Sequence, residues 1–295
     1  MRVFVTGASG FVGSAIVKEL LQAGHAVLGL VRSDRGAEIV AKAGADVYRA
    51  DINSLEAIQK ATEGCDSVIH TAFNHDFSRF KQNCEDDRKV IEALGEALAG
   101  SNRPLVVTSA IGVLRGEGLL TEDDQPAGSD VIPRAATEEA ANGVAKKGVK
   151  SYIVRLPPTT HGQGDHGFVP MLTDIAKQKG EAAYIGEGQN RWAAVHRFDA
   201  ALMYRLIIEQ QPEQRIFHAV AEEGVPFRDI ATAIGNGLNI PVVEKDGEDA
   251  NAYFGWFLHF ASLSCHASSE KSRTILGWGA SNATLMKDLV PGIYF

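Results

Sequence analysis

Short apolar, β-prone runs alternate with helix-length amphipathic stretches through the first half of the chain. Residues 3–6 (VFVT) lead into three glycines, and beyond them Ile16, Val17, Leu20 and Leu21 recur at helical spacing. The same alternation predicts strands at 25–31 (HAVLGLV), 46–50, 66–71 (DSVIHT), 104–109 (PLVVTS) and 150–156 (KSYIVRL). Helices are predicted from 54, over 79–99 and over 134–147. Buried strands joined by helix-length crossovers are parallel, so residues 1–156 read as an α/β doubly wound sheet. From Pro157 the pattern breaks into a proline- and glycine-rich run, PPTTHGQGDHGFVP, of the kind found in functional loops. Further helices are predicted near 168–179, 198–210, 227–236, 249–260 and 282–290, with short strands near 192–196, 215–219 and 241–244. Residues 157–295 therefore read as mainly a smaller, mixed substrate lobe packed on the sheet as one compact unit.

Composition narrows the function more than the fold. The chain has 295 residues and a formal net charge of −8, which disfavours a nucleic acid or an acidic membrane as partner. Cys65, Cys84 and Cys265 are odd in number and far apart, so they form neither a disulfide framework nor a metal spacing. The apolar opening is short and interrupted by glycine, unlike a signal peptide. No run of eighteen apolar residues occurs, so no membrane span is expected and a cytoplasmic protein is.

The candidate chemistry starts at Gly7, Gly10 and Gly13. A strand, a glycine turn and a helix N-terminus together make an anion site, because free N–H groups and the positive end of the helix dipole face the ligand. Glycine admits the backbone close to a pyrophosphate. Taken alone, such a triplet is equally compatible with a plain tight turn.

Further along, RADI at 49–52, SVIHTA at 67–72, VVTSA at 106–110, VRLPPTTHGQGD at 154–165, AVHRFDAA at 194–201 and ILGW at 275–278 follow TGASGFVG at 6–13. In that order, and over nearly the whole chain, they resemble the extended and atypical short-chain dehydrogenase/reductases, the epimerase/dehydratase-like proteins with a Rossmann-type sheet. The resemblance implies that Gly7, Gly10, Phe11, Val12 and Gly13 cradle a dinucleotide pyrophosphate. It places Asp51 and Ile52 beside the adenine, and His70, Thr71 and Ala72 on the ribose side; His70 fits equally well as a satisfied histidine closing a strand. After the second strand an NAD site wants an acidic residue, whereas this chain has Arg32, Ser33, Asp34 and Arg35. A guanidinium suits a 2′-phosphate, so NADP is expected over NAD. The alternative leaves Arg32 solvated and gives the ribose to Asp34.

Most of these enzymes use a Tyr-x-x-x-Lys pair for proton transfer, and no such spacing occurs anywhere in this chain. Ser109 matches the family's substrate-orienting serine, while Arg134 and Glu138 stand where the tyrosine and lysine fall. Arginine stays charged and cannot be the acid, but it can stabilise an alkoxide. The bland alternative is an exposed i,i+4 pair of charges. His161 replaces a family tyrosine in the substrate-side loop and titrates near neutrality, which suits a general acid. His166, Arg191, Trp192 and His196 belong to segments expected near the substrate, and Asp199 reads as a helix cap. No histidine and carboxylate set has metal-ligand spacing. Two functions follow: an NADP(H)-dependent oxidoreductase or epimerase/dehydratase-like enzyme acting on a small carbonyl or hydroxyl compound, or a non-catalytic NADP(H) sensor acting through a protein partner. The resemblance further implies a homodimer through the helices at 79–99 and 134–147.

Overall fold

The computed structural model describes residues 1–116 and 118–295. In its first half β1 (Arg2–Thr6), α1 (Phe11–Gln22), β2 (Ala26–Val31), α2 (Asp34–Ala43), β3 (Asp46–Arg49), α3 (Leu55–Ala61) and β4 (Ser67–His70) alternate. They continue into α4 (Phe80–Leu98), β5 (Pro104–Ala110), α5 (Ala136–Lys146) and β6 (Lys150–Leu156). After β7 (Thr159–His161) come α6 (Phe168–Lys179), β8 (Ala182–Ile185), β9 (Arg191–His196), α7 (Arg197–Gln210), β10 (Ile216–His218) and β11 (Glu222–Pro226). The chain closes with α8 (Phe227–Leu238), β12 (Val242–Lys245), α9 (Gly247–Phe254), α10 (Leu258–Ala261), α11 (Glu270–Leu276) and α12 (Leu285–Asp288).

Seven parallel strands lie in the order β10-β6-β5-β4-β1-β2-β3. The chain winds outward from β1 to β3 and then crosses back to β4, so β1 and β4 flank the point where winding reverses. Ligands of such sheets bind at that point, outside the carboxyl ends of the strands. Alternate strand residues feed two cores. Val3, Val5, Ile69 and Val154 pack with Ile16, Leu20, Met203 and Ile207 on one face, under α1 and α7. Phe4, Val68, Leu105 and Val107 pack with Ile91, Leu94 and Val144 on the other, under α4 and α5.

The sheet therefore draws on chain beyond residue 156: β10 is its seventh strand and α7 covers α1. The C-terminal lobe is built on β11-β9-β7 and β12-β8, around a core that includes Trp192, Phe227, Phe254 and Phe257. Four of its elements, β7, β8, β11 and α11, are not marked by the sequence pattern, because they are short and their partners are distant. The helix expected over 249–260 is broken at Gly255, whose φ is +52°. Asp199 does not cap α7. Its buried carboxylate accepts from Ser281 N (3.0 Å), Asn282 N (3.2 Å) and Asn282 Nδ2 (2.7 Å), tying the last segment to the sheet. Among the described residues no helix is long and apolar enough to cross a membrane.

Where α4 and α5 cross, Gly95 meets Val144. A Cβ on Gly95 would lie 2.3 Å from Val144 Cγ1. Gly95→Ala should therefore destabilise the fold by about 1–3 kcal/mol through overpacking, despite alanine's better helix propensity. In urea unfolding, Gly95→Ala/Val144→Ala should cost less than the sum of the two single changes; strict additivity would contradict the contact.

Candidate functional site

The cradle is set by backbone geometry. Gly7 has φ +68°, and Gly10 N donates to Gly7 O at 2.8 Å, turning the chain from β1 into α1. A Cβ on Gly13 would sit 2.0 Å from Gly7 O, and one on Gly7 would sit 2.7 Å from Thr71 Oγ1. No side chain caps α1 at Gly10, so the first N–H groups of the helix, from Phe11 onward, are left for an external acceptor. Thr71 and Ala72 are fixed from below: Thr71 Oγ1 donates to Thr6 O (2.7 Å), and both their N–H groups donate to Thr6 Oγ1 (3.2 and 3.3 Å). These close approaches fit a pyrophosphate laid on the turn, with hydride chemistry supplied by the nucleotide when bound.

At the β2 end, Arg32 is exposed and has no hydrogen-bond or ion-pair partner among the described residues. Ser33 caps α2 by accepting from Gly36 N at 3.2 Å, and Asp34 is paired with Arg49 at 2.6 Å. Asp51 accepts from Asn53 N (2.8 Å) and Nδ2 (2.9 Å), and half-buried Ile52 packs on the core beneath β4.

His70 lies under the turn with both ring nitrogens engaged, to Thr6 Oγ1 at 2.7 Å and Asp87 Oδ1 at 2.9 Å. Its ring has no nitrogen left for a ribose, and of the two readings of His70 the satisfied histidine describes its ring. Asp87 Oδ2 accepts in turn from Arg134 Nη1 at 2.7 Å and from Thr137 Oγ1. Burial opposes ionisation of Asp87, but Arg134 and His70 outweigh it and hold its carboxyl far below the ordinary carboxylate range. Arg134 Nη2 donates to Thr108 O at 3.0 Å, and its guanidinium lies 3.9 Å from the centre of the Phe73 ring. Arg134 Nε has no hydrogen-bond partner among the described residues, and the side chain as a whole is 14% exposed.

His75 follows in the same loop, 5.2 Å from Phe73 between ring centres. It is solvent-accessible yet walled by protein; burial first, then Arg134 and His166, lower its pKa below the usual histidine value. His166 stands edge-on to Phe11 at 5.8 Å. Arg134, His75 and His166 thus gather where the β4 and β5 loops meet the lobe. His75, Asp87 and Thr137 carry no signal in the sequence: Asp87 sits within EDDRK on α4, which reads as a solvated face.

Ser109 and Glu138 are drawn elsewhere. Ser109 Oγ donates to Glu138 Oε1 at 2.7 Å, and Arg155 grips both oxygens of Glu138 at 2.8 Å. The Arg155–Glu138 pair is fully enclosed, at 0% and 1% exposure. Arg134 and Glu138 are accordingly not an exposed i,i+4 pair; one faces Asp87 and the other Arg155. Arg155 also donates from Nη1 to His218 Nε2 (3.2 Å), while His218 Nδ1 bonds Ser268 O (2.8 Å). Burial and Arg155 push His218 down to about 4, so it is neutral. His161 is fully buried in the lobe: Nδ1 bonds Asp288 Oδ2 at 2.7 Å, and Nε2, 3.9 Å from Glu222 Oε1, has no hydrogen-bond partner among the described residues. Its ring contacts His196 at 5.5 Å, and no contact joins it to Arg134 or Ser109 among the described residues. Burial lowers its pKa against the pull of Asp288. Trp192 is lobe core, and Arg191 donates to Gly224 O at 3.0 Å on the lobe surface.

The model of the NAD(P)H-binding family matches residues 7–183, the glycine turn and the strands that follow it. The chain belongs to that family. Its kin include Uncharacterized protein C2A9.02 of Schizosaccharomyces pombe, 47% identical over the full length of both chains. A second is the sterol-4-alpha-carboxylate 3-dehydrogenase (decarboxylating) of Dictyostelium discoideum, 28% identical over 78% of this chain and 74% of its own. The dTDP-glucose 4,6-dehydratase of Streptomyces venezuelae, solved with NAD bound, superposes with a TM-score of 0.78 at 17% identity. That match covers 98% of this chain and 96% of the dehydratase. The family member described here has the extended short-chain dehydrogenase/reductase fold.

Two outcomes follow from the buried charges. Glu138→Ala leaves Arg155 enclosed without its partner and should cost about 3–5 kcal/mol in chemical unfolding. Because the carboxyl of Asp87 is depressed, its contribution is present above the unfolded value near 4 and is lost as pH falls toward the folded value. Stability measured from pH 7 down to pH 3 should fall less steeply in Asp87→Asn; parallel curves would contradict the assignment.

Proposed function

We propose that the protein is an NADP(H)-dependent oxidoreductase acting on a carbonyl or hydroxyl compound with an apolar body. The observation that carries this reading is Arg134. It is the residue that the resemblance aligns with the family's tyrosine, and its guanidinium is anchored by Asp87, Thr137 and Thr108 with Nε left without a partner among the described residues. A fixed cation with a free N–H stabilises a developing alkoxide without reorganising. It cannot deliver the proton, which comes from water or from the neighbouring imidazole of His75. The hydroxyl of Ser109 is bonded to Glu138 and the ring of His161 to Asp288, so neither acts on the substrate in this reading.

The preference for NADP rests on Arg32, exposed and unpaired beside the α2 cap, while the carboxylate of Asp34 is occupied by Arg49. An apolar substrate body is supported by the aromatic wall next to Arg134. Phe77 lies 5.4 Å from Trp256, 5.5 Å from Phe260 and 6.4 Å from Phe168 between ring centres, and Trp256 is 58% exposed. The Dictyostelium relative is named for a sterol, which is consistent with such a wall.

NADPH oxidation followed with aromatic and alicyclic ketones, aldehydes and nucleotide sugars tests the reading. Turnover is expected with the apolar carbonyls, and Arg134→Met should lower kcat by about 10²–10³. Unchanged kcat would remove Arg134 from the reaction. Arg32→Ala should weaken NADP⁺ by about tenfold or more and leave NAD⁺ unchanged. Arg134 cannot transfer a proton and the carboxylate of Glu138 is taken up by Arg155 and Ser109, which favours a second reading, an NADP(H) sensor. Tight NADPH binding without turnover on any of these compounds would establish it.

A further inference from the structure

Arg197, the first residue of α7, packs against the first turn of α1. Its guanidinium carbon lies 4.7 Å from the centre of the Phe11 ring and 5.0 Å from that of Phe198. Nη2 reaches Ser14 Oγ at 3.4 Å and Nη1 reaches Gln163 O at 3.2 Å, two long bonds to neutral acceptors. Nε is enclosed and has no hydrogen-bond partner among the described residues. No carboxylate lies within ion-pair distance of it among those residues. Burial lowers its pKa, with Asp165 the opposing charge.

This arrangement is unfavourable as it stands. A half-buried guanidinium without an anion carries a desolvation cost that neutral acceptors only partly offset. It also stands beside the N-terminus of α1, the positive end of a helix dipole, which repels a cation. One anion placed between the guanidinium and the helix end relieves both costs together. The stem is held for this purpose by the glycine-rich loop. Gly162 has φ +133°, and a Cβ on it would lie 2.9 Å from His196 Nε2 and 3.3 Å from Arg197 Cγ and Cδ.

We propose that Arg197 reaches from the start of α7 to the diphosphate of the bound dinucleotide, closing the anion site opposite the glycine turn. The assignment rests on nucleotide binding at that turn and not on the reaction proposed above. It gives the loop at 161–167 a role that the sequence does not display: holding a charge for the cofactor.

Isothermal titration of wild type, Arg197→Met and Arg197→Lys with NADP⁺, NAD⁺ and ADP-ribose tests it, with thermal unfolding run on each variant. All three ligands carry the diphosphate, so Arg197→Met should weaken all of them by the same factor, about ten- to a hundredfold. Arg197→Lys should recover part of the loss, since it keeps the charge. Arg32→Ala serves as the contrast, because it should weaken NADP⁺ alone. Affinities within twofold of wild type in Arg197→Met overturn the proposal. So does a loss confined to NADP⁺, which would place Arg197 at the 2′-phosphate, or a loss that spares ADP-ribose, which would place it at the nicotinamide. If Arg197→Met fails to fold, Arg197→Gln, which also removes the charge, is read by the same criteria. Wild type that binds none of the three would overturn the nucleotide site itself.

Discussion

A single enclosed carboxylate, Asp87, joins the glycine turn to Arg134 at the start of the segment that leads into α5. It accepts from His70, which is bonded to Thr6 at the base of the glycine turn, and from the Arg134 guanidinium. Removing Asp87 would leave an arginine half-buried and a histidine unpaired, so the three residues stand or fall together. The chain Thr6, His70, Asp87, Arg134 also crosses β1, β4, α4 and the start of α5. Any motion of these elements against one another would break it. Rigidity at the sheet edge therefore comes from polar bonds, on top of the apolar packing of the two faces.

A second enclosed network holds Glu138, the residue the sequence resemblance aligns with the family's lysine. Glu138 is bound by Arg155 and Ser109. A lysine there could not pair with Arg155. The substitution is thus coupled to Arg155 on β6 and, through it, to neutral His218 on β10. Arg134 and Glu138, four residues apart, thus belong to two separate charge networks. The glycine turn, whose open groups are backbone N–H, does not depend on either side chain.

The lobe contributes in the same indirect way. Its aromatic residues reach the β4 loop through Phe77, and its loop at 161–167 positions Arg197 beside α1. Trp192 and Phe257 bury the lobe's own core, while Asp199 and Trp278 fasten the last segment to α7. Parts of the chain far from the glycine turn thereby pack against both the β4 loop and the first turn of α1.

Hydrophobic period alone determined most strands and helices of the first half, since the inner strands β1, β4, β5 and β6 are buried on both faces and each helix presents one apolar face. The glycine spacing likewise determined the turn, because Gly7 and Gly13 approach each other too closely for any side chain. The charged residues were a different matter. Arg134 and Glu138, four apart on what reads as one surface, face Asp87 and Arg155, and His161 is sealed in the lobe. Their partners lie 17 to 127 residues away in sequence. A periodic pattern records how much of a residue is buried against its neighbours, but a buried charge is settled by which opposite charge the fold brings to it. Only the tertiary structure decided that.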